Sequence, residues 1–223
     1  MLDNVYVTEQ TGLQQRLIEA GARLLERDGL GAVGLRAITR EVGVSHGAPR
    51  RYFPSHRDLL AAIARSGFDD LIASFAPVLA DEATSDRKLV ELSTRFVDFA
   101  ALRPSMFDLM FRHDLLDGSA VDGQPLRRTT LPLFAVLIDL VAAAAPAYDD
   151  ATERTLTLWT NVHGIAVLVA NRSIDLVTGT ADLPALIERA VYAHLAPATS
   201  AYRASGGESS TVSQVNSQER TPR

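Results

Sequence analysis

Residues 35–60, "LRAITREVGVSHGAPRRYFPSHRDLL", constrain the fold more than any other part of the chain. Leu35, Ile38 and Val42 recur at helical spacing with Arg36, Arg40 and Glu41 between them, which predicts a two-turn amphipathic helix. Gly43 follows where a left-handed C′ residue would stop that helix, since glycine enters this conformation without steric cost. Val44 is placed to fill the space under the turn, and Ser45 to cap a second short helix that Tyr52 and Phe53 close onto a core. Thr39, four residues before Gly43, falls where the two helices cross and so must be small. Pro49 reads as a first-turn residue, where few backbone bonds are lost. Pro54 and Ser55 end the second helix and start another, from His56 to about Leu79. Two short helices about a tight turn make a helix-turn-helix.

The second helix of such a unit would point its N-terminus outward, where free N–H groups and the helix dipole favour an anion. Its exposed positions are His46, Gly47, Arg50 and Arg51. A helix of this size fits the major groove of DNA, where arginine bonds a guanine edge bidentately. From Arg36 to Arg57 five arginines stand against Glu41 alone, a net +4 on a chain whose total is -5, so the remainder carries -9. The positive charge is therefore gathered where phosphates would lie, and binding responds to local rather than net charge. The candidate DNA-contacting set is Arg36, Thr39, Ser45, His46, Gly47, Arg50, Arg51, Tyr52 and His56.

The run "RLIEAGARLLERDGLGAVGLRAITREVGVSHGAPRRYFPSHRDLL" resembles the TetR family of bacterial transcriptional repressors. That family's pattern runs from a first helix with an early arginine, through Ile-Ala-x-x-Ala-Gly-Val-Ser, to a recognition helix ending in an aromatic and Phe, then Ser-Lys-Glu-x-Leu. The resemblance covers about residues 13–63. It implies a three-helix DNA-binding domain, a helical C-terminal ligand domain, homodimers and a palindromic operator. Three positions depart from the pattern. Arg50 replaces a usual tyrosine, His56 a usual phosphate-binding lysine, and Gly34 a usual capping Ser or Thr. The first bears on operator sequence, and the second weakens one phosphate contact. A second stretch, "RPSMFDLMF" with "LWTNVHGIAVLV", is similar to the TetR-family C-terminal domain named for its Trp, His and Gly, here Trp159, His163 and Gly164. Trp159 and His163, four apart, share one helix face, and Gly164 would permit close helix approach.

The rest of the chain also reads as helix. Leu13, Leu17, Ile18, Gly21, Leu24 and Leu25 give residues 9–28 an apolar stripe, ended by the glycines of "DGLGAVG". Further helices are expected over "SDRKLVELSTRFVDFAAL", from Pro104 through Phe111, from Pro125 to Ala145, from Asp149 to Thr178 and from Leu183 to Leu195. "DGSAVDGQP" reads as a loop, and no segment shows sustained strand alternation. The fold class is all-α, with a helix-turn-helix domain over 9–55, a larger helical body over 56–196 and a polar, disordered tail over 197–223. "LPLFAVLIDLVAAAAPAY" holds Asp139 and Pro146, so a buried helix is expected there rather than a membrane span. No signal peptide is read in "MLDNVYVTEQ", and there are no cysteines, which together suit a reducing, cytoplasmic setting.

Nothing in the chain has a catalytic or metal-binding spacing. HExxH, GxSxG and P-loop patterns are missing, and "GLGAVG" follows a helix rather than a strand, unlike a dinucleotide loop. No enzyme activity, metal or cofactor is expected. The body carries an aromatic and methionine set, Phe68, Phe75, Phe96, Met106, Met110, Phe111 and Phe134, which with Trp159 and His163 forms the candidate ligand-binding group. An apolar pocket holding one or two polar groups, such as His163 or Asn161, competes here with plain core packing. The sequence thus predicts a one-component transcriptional regulator that acts as a repressor. It would pair through the last two long helices, bind an operator on double-stranded DNA and be released by a small apolar or amphipathic effector. The alternatives are a helical ligand carrier or a protein-interaction module whose basic patch binds an acidic protein.

Overall fold

A computed structural model describes residues 2–116, 120–121, 124–125, 127–147, 150–174, 176 and 182–196, with the backbone alone for 2–11, 120–121, 124–125, 127 and 129. The apolar stripe of the N-terminal segment forms α1 (Leu2–Asp28), which buries Leu17, Ile18, Leu24 and Leu25. Gly29 turns the chain at φ 79°, and one 3₁₀ turn, Leu30–Ala32, leads into α2 (Leu35–Val42). Gly43 ends α2 at φ 74°, donating its N–H to the Thr39 carbonyl at 2.9 Å, the left-handed stop its sequence position predicts. Gly34 occupies the α2 N-cap without any side-chain bond.

The predicted second helix of the unit is not an α-helix. Residues 46–48 form a turn, and Pro49–Arg51 a single 3₁₀ turn. The cause is Pro49, which has no N–H to give the Ser45 carbonyl four residues earlier. That carbonyl instead accepts from Ala48 at 3.0 Å, and Ala48, not Ser45, sits at the cap position. The expectation of an outward helix N-terminus with its dipole is therefore corrected: a three-residue turn has little of either. Pro49 is buried, as a residue under a turn rather than a surface contact.

Ser55 and Asp58 then form a reciprocal capping box, Asp58 N–H to Ser55 Oγ at 3.1 Å and Ser55 N–H to Asp58 Oδ2 at 3.0 Å. It starts α3 (His56–Ala80). After α3 come α4 (Ser85–Leu102), α5 (Pro104–Met110) and α6 (His113–Leu116). The expected loop holds one two-residue antiparallel ladder, β1 (Ala120–Val121) with β2 (Gln124–Pro125). Then follow α7 (Arg127–Ala144), α8 (Ala151–Ala170) and α9 (Leu183–Leu195). The architecture is all-α. α8 stops eight residues before the predicted Thr178. Arg172 takes φ 54°, the Ser173 N–H reaches the Leu168 carbonyl at 2.8 Å and the Arg172 N–H the Val169 carbonyl at 2.9 Å, a Schellman ending without glycine. The tail from 197 lies outside the described residues.

Two hydrophobic cores result. The first joins Leu17, Leu24, Ile38, Phe53, Leu59 and Ile63 and continues along α3 to Phe68, Leu71 and Phe75. It crosses the division expected after residue 55, because α3 belongs to both parts. The second joins α4, α7, α8 and α9 through Leu89, Val97, Val141, Leu158, Val162, Ile165, Ile187 and Val191. Two glycines mark the closest helix approaches. A Cβ on Gly21 would collide with Ile63 Cδ1, and one on Gly67 would meet Met106 Cγ and Sδ at 2.7 Å. Gly164 has no neighbour within 4 Å of a would-be Cβ, so it permits no close approach inside the chain.

One polar joint links the first three-helix group to α5. The Met106 N–H donates to Glu26 Oε1 on α1 at 3.0 Å. Arg103, just before α5, reaches Glu26 at 3.8 Å and Asp70 on α3 at 2.5 Å, with its guanidinium 5.4 Å from the Phe99 ring centroid.

Candidate nucleic-acid interface and ligand cavity

α2 is held by α1 at its C-terminal end, where Arg16 donates to the Val42 carbonyl at 3.3 Å and Arg27 pairs with Glu41 at 3.5 Å. Glu41 is the lone acid in the basic stretch, and an arginine from outside that stretch engages it. Arg36, Arg40, Arg50 and Arg51 are left solvent-exposed, as are Ser45, His46 and Gly47. Tyr52 is half-buried, its ring 6.3 Å from that of Phe53. The structure therefore brings Arg36, His46, Gly47, Arg50 and Arg51 to the outside of the α2–turn unit.

Thr39 is not on that surface. It is 1% exposed, its hydroxyl donates to the Arg36 carbonyl at 3.0 Å, and His46 Nδ1 lies 3.1 Å from the same oxygen. The expectation that its side chain is offered to DNA is therefore corrected: it is buried against the exposed His46. His56 has an exposed ring whose Nε2 donates to the Val33 carbonyl at 2.6 Å. The histidine that replaces the family's lysine thus ties the start of α3 to Val33, two residues before α2. No local sequence signal marks this tie, because its partners are 23 residues apart.

Between the two cores lies a cavity of about 320 Å³, walled by α3, α4, α7 and α8. Six of the nine candidate ligand residues line it: Phe68, Phe75, Phe96, Phe111, Phe134 and Trp159. Three do not. Met106 and Met110 are 0% and 1% exposed and fill the space against Gly67, which is core packing rather than a pocket wall. His163 stands behind the wall, in ring contact with Phe96, Phe107, Phe111 and Trp159, the nearest being Phe111 at 4.5 Å between centroids. Burial holds its pKa below the usual histidine value, and its Nδ1 has no hydrogen-bond partner. Asn161 is exposed and faces His194, away from the cavity.

Sequence reasoning missed the leucines of the wall, among them Leu71, Leu92 and Leu137, and its polar members, the buried Ser93 and Thr155 and the less buried His113 and Thr130. Leucines facing a cavity and leucines facing a core have the same spacing. The two buried hydroxyls are engaged by their own helices, Ser93 donating to the Leu89 carbonyl and Thr155 to the Ala151 carbonyl, each at 2.7 Å. They turn only lone pairs toward an occupant. No Lys or Arg lines the cavity among the described residues, and no His, Asp and Glu cluster suited to a metal ion occurs among them. No helix of the described residues is long and apolar enough to cross a membrane.

An all-helical chain with an exposed arginine-bearing turn on an α2–α3 scaffold, and a separate apolar cavity, defines a helix-turn-helix regulator. Residues 17–63 match the model of the bacterial regulatory proteins of the tetR family, and residues 89–194 that of the tetracyclin repressor-like C-terminal domain. Together these stretches take in more than half of the chain, which belongs to the TetR family of DNA-binding transcriptional regulators and is not an enzyme. None of the curated proteins compared matches it. Among solved structures it is similar to a protein of unknown function from Rhodococcus sp. RHA1, at 26% identity and TM-score 0.70, covering 82% of this chain and 93% of that one. It also shares the fold of SCO4454, a TetR-family transcriptional regulator from Streptomyces coelicolor, at 17% identity and TM-score 0.62, over 81% of this chain and 93% of that one. A third likeness is to FadR from Bacillus subtilis, solved with stearoyl-CoA, at 15% identity and TM-score 0.61, over 81% of this chain and 97% of that one.

Proposed function

We propose that this regulator is a repressor that binds a palindromic operator as a homodimer in the cytoplasm and is released by a small, uncharged, mainly apolar effector. One observation carries the reading: α3 begins at the DNA-facing unit and its later turns, through Phe68, Leu71 and Phe75, form a wall of the cavity. An occupant that shifts those side chains moves the helix that supports the arginine-bearing turn. By linkage such an effector must bind the DNA-incompetent state more tightly, typically by about 1–3 kcal/mol. The FadR likeness supports an apolar occupant, although here no Lys or Arg stands among the described lining residues, whose only ring nitrogens are those of His113 and the Trp159 indole.

In this reading Arg36 faces phosphates, His56 keeps its Nε2–H on the Val33 carbonyl, and Arg50 and Arg51 with His46 and Gly47 approach base edges, with Tyr52 and Ser45 at the margin. Pairing would use α8 and α9. Leu156, Thr160, Gly164, Val167 and Leu168 repeat at helical spacing along the exposed side of α8, and Tyr192 is exposed on α9. The open space over Gly164 suits a second copy's helix. Two heads so joined would enter successive major grooves about 34–36 Å apart.

The test is binding to a duplex of the chain's own upstream intergenic DNA at two salt concentrations, with unrelated duplex as competitor. Tight, salt-sensitive, competitor-resistant binding by a species that sediments as a dimer is expected. Equal, weak binding to both duplexes would overturn the regulator reading in favour of a basic patch. A V167E/L168E variant that remained dimeric would overturn the α8–α9 pairing.

A further inference from the structure

Two hydrogen bonds around Thr39 decide which nitrogen of His46 faces outward. The Thr39 hydroxyl has one proton, and it donates this to the Arg36 carbonyl at 3.0 Å, an acceptor that has no proton to give. His46 Nδ1 lies 3.1 Å from the same hydroxyl oxygen. With the hydroxyl proton engaged, that contact is a hydrogen bond only when Nδ1 is the donor. The neutral ring is then the Nδ1–H tautomer, and Nε2 presents a lone pair. Thr39 is 1% exposed within α2, so the element that sets this tautomer is fixed by packing, while His46 itself is exposed on the turn.

We infer that His46 is a specificity-determining residue that accepts a hydrogen bond from an amino group on a base edge, with Thr39 as its positioning residue. The inference rests on the DNA-binding reading of this surface. In the major groove only cytosine N4 and adenine N6 offer such donors, whereas guanine N7 and O6 and thymine O4 are acceptors. A lone pair also faces a phosphate oxygen unfavourably, which separates His46 from the phosphate-binding cations nearby. Arg50 and Arg51 on the same turn are obligate donors. The turn therefore combines an acceptor with two donors, and an operator half-site that satisfies it carries an A or C beside positions read by arginine.

The experiment selects binding sites from random duplexes at pH 8, above the ordinary histidine range, using the full chain and its H46A, T39V and T39S variants. The wild type is expected to enrich a motif in which one position per half-site is A or C, favoured by roughly five- to tenfold over G or T, the low end for a single base contact. H46A flattens that position and leaves the others. T39V removes the hydroxyl while keeping the shape, frees Nδ1 to take either tautomer, and lets G or T in at that position. T39S keeps the hydroxyl and retains the wild-type preference. Circular dichroism establishes that each variant is folded. The inference is overturned if H46A weakens binding to all duplexes alike with a log–log salt slope shallower by about 0.9, the mark of a lost phosphate contact. It is also overturned if folded T39V keeps the wild-type preference. A wild type that enriches no sequence removes the DNA-binding reading itself, and is distinguished by requiring no variant.

Discussion

In the first core, large side chains meet one another. Leu17, Leu25, Ile38, Leu59 and Ile63 are fully covered, and at Gly21 and Gly67 a single added carbon would collide. Between the first core and the second, side chains of the same chemistry stay apart. Phe96, Phe134 and Trp159 are half-exposed around a space of about 320 Å³. Composition is alike in the two regions, and the difference lies in helix separation. Glycine sits where helices touch, and no glycine lines the cavity among the described residues. A packed core converts side-chain volume into stability, whereas a cavity holds volume back for a ligand.

The strongest challenge to this contrast removes volume from each region. Ile38→Ala should lose about 2–5 kcal/mol in urea unfolding. Phe134→Ala, half-exposed beside existing space, should lose well under the about 3–5 kcal/mol of a fully buried phenylalanine. Equal losses at the two sites would mean that the cavity wall is ordinary core. The next effect is on DNA. Arg50→Ala should cost about 1–3 kcal/mol on the operator and relax its sequence preference, measured by fluorescence anisotropy. His56→Lys should tighten every duplex and steepen the log–log salt slope by about 0.9.

A smaller effect belongs to the second core. Burial lowers the pKa of His163, and burial followed by the charge of Arg154 lowers that of His194. The folded chain then binds fewer protons than the unfolded chain, so stability is complete above the unfolded histidine value of about 6.5 and is lost as pH falls below it toward the lowered folded values. The thermal midpoint should drop between pH 8 and pH 5.5, and drop less in His163→Phe. An identical pH profile for that variant would show that the buried ring contributes nothing. The smallest change is Arg172→Gly, which relieves a side chain in the left-handed region at the end of α8. It should raise stability by up to about 1 kcal/mol in the same melts.

The legible parts of the chain were those where a backbone requirement fixes the residue. Gly43 stops α2 in the left-handed region, Ser55 starts α3, and Leu35, Ile38 and Val42 pack into the core shared with α1. Pro49 was read for its place in a helix and not for the missing N–H that prevents the helix. The end of α8 was hidden because Arg172 adopts a conformation that glycine would have announced. In the body, Phe96 faces the cavity and Met106 fills the gap over Gly67, though both are large apolar residues within helices. That choice depends on the distance between helices, which spacing along one helix does not encode. The His46–Thr39 and His56–Val33 bonds are likewise tertiary facts.

The joint at Glu26 has a mechanical consequence. One carboxylate of α1 receives the Met106 N–H of α5 and faces Arg103, which in turn grips Asp70 of α3. Phe111, the residue next after α5, is part of the cavity wall. Moving α5 against α1 would not be a slide along an apolar surface, because it would first have to break a charge-assisted hydrogen bond. One acidic side chain, Glu26, therefore ties α1 to α5 and, through Arg103, to α3.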